Sequence, residues 1–338
     1  MRFRNYRDNN ERQDLFHRSW FFLLALILLH SCHKPVPPTI AIIPRTTGTM
    51  MWEPEHGGAL AAALPLGARV YWNAPTREDD VQSQIALVER VAAGDYQGLI
   101  LSPDHALALV TPVRRAVSRG IPTVIIGSPL AIPPGEGLWY ILNDEEMGGR
   151  IAAQRIATLL HGQGSVAILG IDPDISGIMT RARSLEQFLT EHYPSIRIVA
   201  NQIGSFNVPH EQQMAEETLK NNPDLDAVVT LTATATHGVM SAIGINASIH
   251  ARVIAFDPDS MSFDSPNLDC VILQNTHKMG AEAVRTILAH LHGQPVPAIT
   301  QFEPVLVTRE NANTEEVHKL TSMDWRPSQI QWKWSVRQ

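Results

Sequence analysis

Short runs of aliphatic and β-branched residues, each followed by a helical pattern, repeat along this chain from Thr39 onward, and that alternation restricts the fold more than any other feature. Residues 39–43, 69–72, 98–101, 123–126 and 140–142 read as strands. Residues 55–64, 79–93, 106–119 and 145–160 read as helices, with Val81, Ile85, Val88 and Ala92 sharing one face of the second. A further series follows, with strands over 166–169, 197–200, 227–231 and 253–256 and helices near 181–192, 210–221 and 234–243. Near-continuous Val/Ile/Leu strands separated by helices argue for parallel sheets covered on both faces. Roughly nine such strands exceed one compact unit and suit two doubly wound lobes.

The break between the series falls where Pro129, Pro133, Pro134, Gly135 and Gly137 cluster as a loop. The chain is expected to cross into the second lobe near Asn143, and to cross again near Asn275 and Pro304, giving a three-strand hinge. A helix over 278–291, with Met279, Ala283, Val284, Ile287, Leu288 and Leu291 on one face, reads as a return to the first lobe. The expected division is residues 39–142 with 275–303 as the N-terminal lobe and 143–274 with 304–320 as the C-terminal lobe. Residues 321–338 form a polar tail that carries Trp325, Trp332 and Trp334.

The start of the chain has a different character. Five arginines, Arg2, Arg4, Arg7, Arg12 and Arg18, precede an apolar run over 21–29 that ends in His30-Ser31-Cys32. A cationic lead, a short apolar stretch and a small residue before the break describe an export signal. As helix the run rises about 14 Å, roughly half a bilayer's hydrocarbon core, which is too short for a span. Leu29-His30-Ser31-Cys32 resembles a bacterial lipobox, in which cleavage leaves the cysteine as the lipid-bearing first residue. His30 departs from the usual small or apolar residue there. An ordinary secretory signal and an uncleaved anchor remain alternatives, and all three place the body outside the cytoplasm. The lipoprotein reading makes 1–31 the signal, Cys32 the lipidated residue, and 32–38 a proline-rich linker.

Hydrophobic residues make up 44% of the chain and charged residues 18%, the balance of a globular protein. The net charge is −7 and no basic run follows the first segment, which argues against a nucleic-acid partner. With Cys32 lipidated, Cys270 has no disulfide partner, and its apolar surroundings read as a buried structural thiol. No nucleophile elbow, phosphate-binding loop or zinc-protease motif is found, and Gly162-Gln-Gly164 ends a helix instead of opening one. His290 and His292 close a helix, where cationic or polar residues are expected. No enzyme, metal or cofactor is called for.

In open α/β sheets ligands lie beyond the carboxyl ends of the strands. Residues at those positions are Thr49, Met51 and Trp52 after the first strand, Ser128 after 123–126, and Asp144 after 140–142. The second series offers Arg181, Phe206, Thr232, Asp257 and Gln274. One guanidinium, two carboxylates, amides, hydroxyls and aromatic faces suit a polyhydroxylated ligand. Each has a plainer reading. Asp144 caps a helix equally well, Trp52 fits a lobe surface, and Arg181 fits a pairing with a neighbouring acid.

From about Thr39 to Leu320 the chain resembles ribose-type periplasmic sugar-binding proteins, the substrate-binding components of ABC importers. The resemblance rests on TIAIIPRTTGTMMW from Thr39, IPTVIIGSPL from Ile121, NDEEMGGRIAA from Asn143, RARSLEQFL from Arg181, VIAFDPD from Val253 and VILQNTHKMG from Val271. It implies that Trp52 stacks on a sugar, with Met51 where a second aromatic often stands, and that Arg181, Phe206, Asp257 and Gln274 contact the ligand. Gly127-Ser128 stands where the family usually carries Asp-Arg, and Thr232-Ala233 where it carries Asn-Asp or Asn-Glu. Losing planar hydrogen-bonding groups argues for a different ligand from ribose. The partners implied are a small sugar-like ligand, an ABC permease, and the membrane through a lipid anchor. A tethered receptor that signals to a membrane sensor shares the same lobes. Removal of Arg181 or Asp257 is expected to abolish binding and spare the fold.

Overall fold

The computed structural model describes residues 36–246, 248–259 and 262–321. The segment 1–31 expected to be an export signal, Cys32 and the tail tryptophans Trp325, Trp332 and Trp334 lie outside the described residues.

Twelve strands and nine α-helices run through the described residues. The first series is β1 (Thr39–Ile43), α1 (Glu53–Ala63), β2 (Arg69–Trp72), α2 (Val81–Ala93), β3 (Gly98–Leu101), α3 (Val110–Ser118), β4 (Thr123–Gly127) and β5 (Leu138–Asn143). The second is α4 (Glu145–Leu159), β6 (Gly164–Ile171), α5 (Ser176–His192), β7 (Ile196–Ile203), α6 (Val208–Asn221), β8 (Ala227–Thr230), α7 (Ala233–Ile245), β9 (Arg252–Phe256) and β10 (Leu268–Leu273). The chain then forms α8 (Thr276–Leu291), β11 (Ile299–Phe302), β12 (Val305–Thr308) and α9 (Glu315–Thr321).

The strands make two six-stranded sheets, ordered β11-β5-β4-β3-β1-β2 and β12-β10-β9-β8-β6-β7. The two orders are the same topology used twice, each completed at one edge by a late strand. Every pairing is parallel except β10 with β12. The chain changes sheet after β5, between β10 and β11, and again between β11 and β12. Strands β10, β11 and β12 raise the total above the nine read from the sequence. For the two late strands the reason is visible in β11, whose Ile299 is 50% exposed, and in β12, where only Val307 is fully buried, whereas β10 is buried throughout. Half-exposed edge strands lack the continuous apolar run that marks a central strand.

Each sheet is covered on both faces. Ile40, Ile42, Ile100 and Val124 pack with Ala59 of α1 and with Met279, Val284 and Ile287 of α8. Ala41, Ile43, Leu99 and Leu101 pack with Val88 of α2 and Val113 of α3 on the opposite face. The second sheet repeats this arrangement, with α4 and α5 on one face and α6 and α7 on the other.

Helices α1 and α8 cross closely because two glycines remove side chains at their contact. A Cβ on Gly58 would lie 1.9 Å from the His277 carbonyl oxygen, and one on Gly280 would lie 2.2 Å from that of Glu55. Several helix starts are capped by the residue that ends the preceding strand or loop. Asp80 accepts from Ser83 N, Asp144 from Met147 N and Asn275 from Lys278 N. These caps satisfy amides that the helix itself leaves open. Among the described residues no helix is long and apolar enough to cross a membrane.

Candidate functional site

The carboxyl ends of the two sheets face each other. Ala106 N, past β3, donates to Asp174 O, past β6, at 2.9 Å. Ser176 Oγ, at the start of α5, donates to Pro129 O, past β4, at 2.8 Å. His105 Nε2 lies 3.4 Å from the Asp174 carboxylate. A Cβ on Gly177 would fall 2.4 Å from Ser128 Oγ, so a glycine is what lets α5 reach β4's end. The lobes are thus in contact, and the residues between them are largely buried.

On the second-lobe side, Arg181 sits in the second turn of α5 at 3% exposure. Its Nε and Nη2 donate to the two oxygens of Glu145, each at 2.7 Å. Nη1 donates to Leu231 O and to Asp257 Oδ2, both at 3.2 Å, and the guanidinium lies 4.5 Å from the Phe256 ring centre. Asp257 also accepts from Gln274 N and Nε2, both at 2.8 Å. Burial pushes the Asp257 carboxyl up, against the pull of the Arg181 guanidinium. Asp257 and Phe206 have φ of 45° and 50°, a left-handed backbone that side-chain-bearing residues seldom adopt. Such strained residues persist where the surroundings over-determine them, and they cluster at ligand sites.

On the first-lobe side the centre is Arg45, just past β1 and 7% exposed. Its Nη2 donates to Ser128 Oγ at 3.2 Å, and its guanidinium lies 5.4 Å from the Trp52 ring centre. Trp52 is 3% exposed and its Nε1 donates to Glu78 Oε1 at 3.2 Å. Arg45 acts electrostatically on Glu55, Glu78, Asp104 and Asp172. Burial pushes Glu55 up to about 8, against a hydrogen bond from Ser102 and the Arg45 charge. Burial likewise pushes Asp104 up to about 8, opposed by Arg45 and reinforced by Glu78, Asp79 and Asp172. Glu78 and Asp172 move in the same direction, first because they are shielded from water.

Several polar atoms on this rim are buried without a hydrogen-bond partner: both oxygens of Asp104, both amide atoms of Asn143, Glu55 Oε1, Arg45 Nε and Thr49 Oγ1. Folded proteins pair nearly all such groups, so a set of them at one place marks a surface shaped for a polar guest.

The residues picked from the sequence therefore separate into groups. Arg181, Asp257 and Gln274 form one hydrogen-bonded network, and Ser128, Trp52 and Thr49 lie on the opposite rim with Arg45. Met51 borders Trp52, and a cavity of about 80 Å³ is lined by Met51, Asp257, Asp259 and Gln274. Asp144 serves as the cap of α4, and Thr232 caps α7 by accepting from Ala235 N at 3.1 Å. Phe206 packs on the hydrophobic face of the second sheet. Sequence reasoning passed over Arg45, Glu55, Glu78, Asp104 and Glu145. For all but Glu78, which sits in the loop between β2 and α2, the one visible signal is a charged residue just beyond the end of an apolar strand or in the first turn of the helix that follows it.

The comparisons with known proteins agree with this architecture. Residues 40–295 match the family model described as a periplasmic binding protein domain. The D-allose-binding periplasmic protein of Escherichia coli is 25% identical over 76% of this chain and 86% of its own length. A D-apiose import binding protein of Paraburkholderia graminis is 22% identical over 83% of this chain and 90% of its own. Among solved structures, a carbohydrate transporter solute-binding protein from Agrobacterium radiobacter in complex with D-arabinose superposes with a TM-score of 0.78. It has 25% identity and covers 86% of this chain and 100% of that one. With two doubly wound lobes meeting at their strand ends, and a family match over most of its length, the chain belongs to the periplasmic binding protein domain family.

Proposed function

We propose that this protein is an extracytoplasmic solute-binding protein that captures a monosaccharide or monosaccharide derivative between its lobes and delivers it to an ABC permease. The observation that carries the reading is the set of unpartnered polar atoms of Asp104, Asn143, Arg45 and Thr49 on one rim, facing the Arg181–Asp257–Gln274 network on the other. Hydroxyl groups both donate and accept, so a polyol satisfies such a mixed set where a purely anionic or apolar ligand does not. The relatives named for D-allose and D-apiose and the neighbour holding D-arabinose support the same class.

The mechanism is closure. Residues 39–142 with 275–303 and residues 143–274 with 304–320 act as the two lobes, and the three connections between the sheets act as the hinge. Thr49, Trp52 and Ser128 approach the ligand from one side, and Asp257 and Gln274 from the other. Asp144, Thr232 and Phe206 act behind them by fixing helix starts and a loop. Cleavage before Cys32 and lipidation of its thiol tether the body to the membrane at the permease.

Thermal unfolding of residues 34–338 with pentoses, hexoses, polyols and their derivatives tests the reading. A ligand at 100 times its dissociation constant adds about 2.7 kcal/mol, a shift of a few degrees for a chain this size. A folded sample that shifts with none of them overturns it.

A further inference from the structure

We infer that the ligand carries a protonated amine, seated against Asp104 and Glu55 on the first-lobe rim, so that the cleft selects an amino sugar over its neutral parent. This rests on the proposed sugar-binding function and narrows it. The first observation is an imbalance of charge. Arg45 is one guanidinium set among four carboxylates, those of Glu55, Glu78, Asp104 and Asp172. Across the cleft Arg181 is likewise shared between Glu145 and Asp257. Ser128 joins the two groups, since it accepts from Arg45 and lies against Gly177, whose Cβ would fall 3.1 Å from Glu145 Oε1. Burial keeps Glu55 and Asp104 protonated up to about pH 8 in the ligand-free protein, and neither guanidinium has charge to spare for them once they ionise, so an ammonium seated there takes the place of a proton.

The second observation is independent of the count. Asp104 is 5% exposed and neither of its carboxylate oxygens has a partner, while Glu55 is 1% exposed with Oε1 unpartnered. Buried carboxyl oxygens left open are costly, and a buried carboxylate needs an opposite charge as well as a hydrogen bond. A hydroxyl supplies one donor and no charge. An ammonium supplies three donors, a full positive charge and no acceptor, which complements a patch of acceptors.

Asn143 and Arg45 then define the rest of the ligand. The Asn143 amide is 4% exposed with Nδ2 and Oδ1 both open, and Arg45 Nε is an open donor. A bare polyamine has no acceptor for Nδ2 or Nε, whereas the hydroxyls of an amino sugar supply acceptors and donors together.

Isothermal titration calorimetry at pH 7 decides the matter, using hexoses aminated at C2, C3 or C6, the same sugars N-acetylated, and their neutral parents. At least one hexosamine binds tenfold or more tightly than its parent, and N-acetylation removes that advantage. Asp104→Asn and, separately, Glu55→Gln each cut the amine preference at least tenfold while the ligand-free protein stays folded. Neutral sugars binding as tightly as their amines, or amine preference unchanged in both variants, overturns this inference and leaves the sugar-binding function standing. A folded protein that binds none of this panel but is stabilised by a pentose or polyol overturns this inference alone, and one that responds to neither overturns both.

Discussion

Arg181 and Glu145 are joined twice beneath the cleft, Nε to Oε2 and Nη2 to Oε1, each at 2.7 Å. Nη1 is also engaged, by Leu231 O and Asp257. The guanidinium thus organises the second lobe, and truncating it strands two buried carboxylates. This replaces the expectation that loss of Arg181 spares the fold. Arg181→Ala is expected to cost about 3–5 kcal/mol in urea unfolding, the range for breaking a buried ion pair. Native stability in that variant would refute the structural role.

Asp257 offers a gentler probe. Asn tolerates its left-handed backbone, but the new amide sets a donor against Gln274 Nε2 and Arg181 Nη1. Asp257→Asn is expected to lose about 1–3 kcal/mol of stability and to weaken ligand binding at least tenfold. Calorimetry on the variant checks both, and undiminished affinity would remove Asp257 from the ligand site.

Gly177 tests the closed state. A side chain there meets Ser128 Oγ of the opposite lobe before the lobes reach their present separation. Gly177→Val is expected to hold the protein more open, with a larger radius of gyration in solution scattering and affinity lower by tenfold or more. The combination with Ser128→Gly should recover part of the loss. An unchanged radius in the presence of ligand would show that closure does not pass through this contact.

The raised carboxyls give the ligand-free protein a pH dependence of definite sign. Glu55 moves from 4.5 to about 8 and Asp104 from 3.8 to about 8, so the folded state keeps protons that the unfolded chain has released. That stabilisation is complete below the unfolded values, declines as pH rises, and is gone above about 8. Glu55 is faced by Arg45 and Ser102, and Asp104 by Arg45, Glu78, Asp79 and Asp172. The melting temperature should therefore fall between pH 5 and pH 8.5, and Asp104→Asn should flatten the slope. A melting temperature that rises over that interval would contradict the assignment.

The architecture was legible because its central strands are buried on both faces and so are written as unbroken apolar runs: TIAII, GLIL and TVIIG. Helix starts were less so. Helix α3 is read from Ala106 but begins at Val110, because residues 106–109 form a turn ahead of it. Helix α5 begins at Ser176, before the predicted start near Arg181, since Gly177 and Thr180 are poor helix formers that weaken the signal of its opening turns. Of the candidate residues, Arg181, Asp257 and Gln274 stand at strand ends or near a helix start, and the structure brings them into one hydrogen-bonded network. Glu55 and Glu145 were missed for a physical reason: an acid in a helix's first turn already complements the helix dipole, so it carries no sign of a second task. Asp104 lacked even that cue, as only the packed structure reveals that nothing meets its oxygens.

The crossing of α8 onto the first sheet has a bearing on how the chain is made. Its Met279, Val284 and Ile287 form a wall of the core around Ile40, Ile100 and Val124, and Ile287 presses against Gly98 of β3. A ribosome reaches those residues only after every strand of the second sheet except β12 has been synthesised. A nascent chain that stops short of Thr276 leaves the face of β1, β3 and β4 beneath α8 uncovered. Full burial of that face is thereby postponed until helices α4 to α7 of the second lobe have all been made.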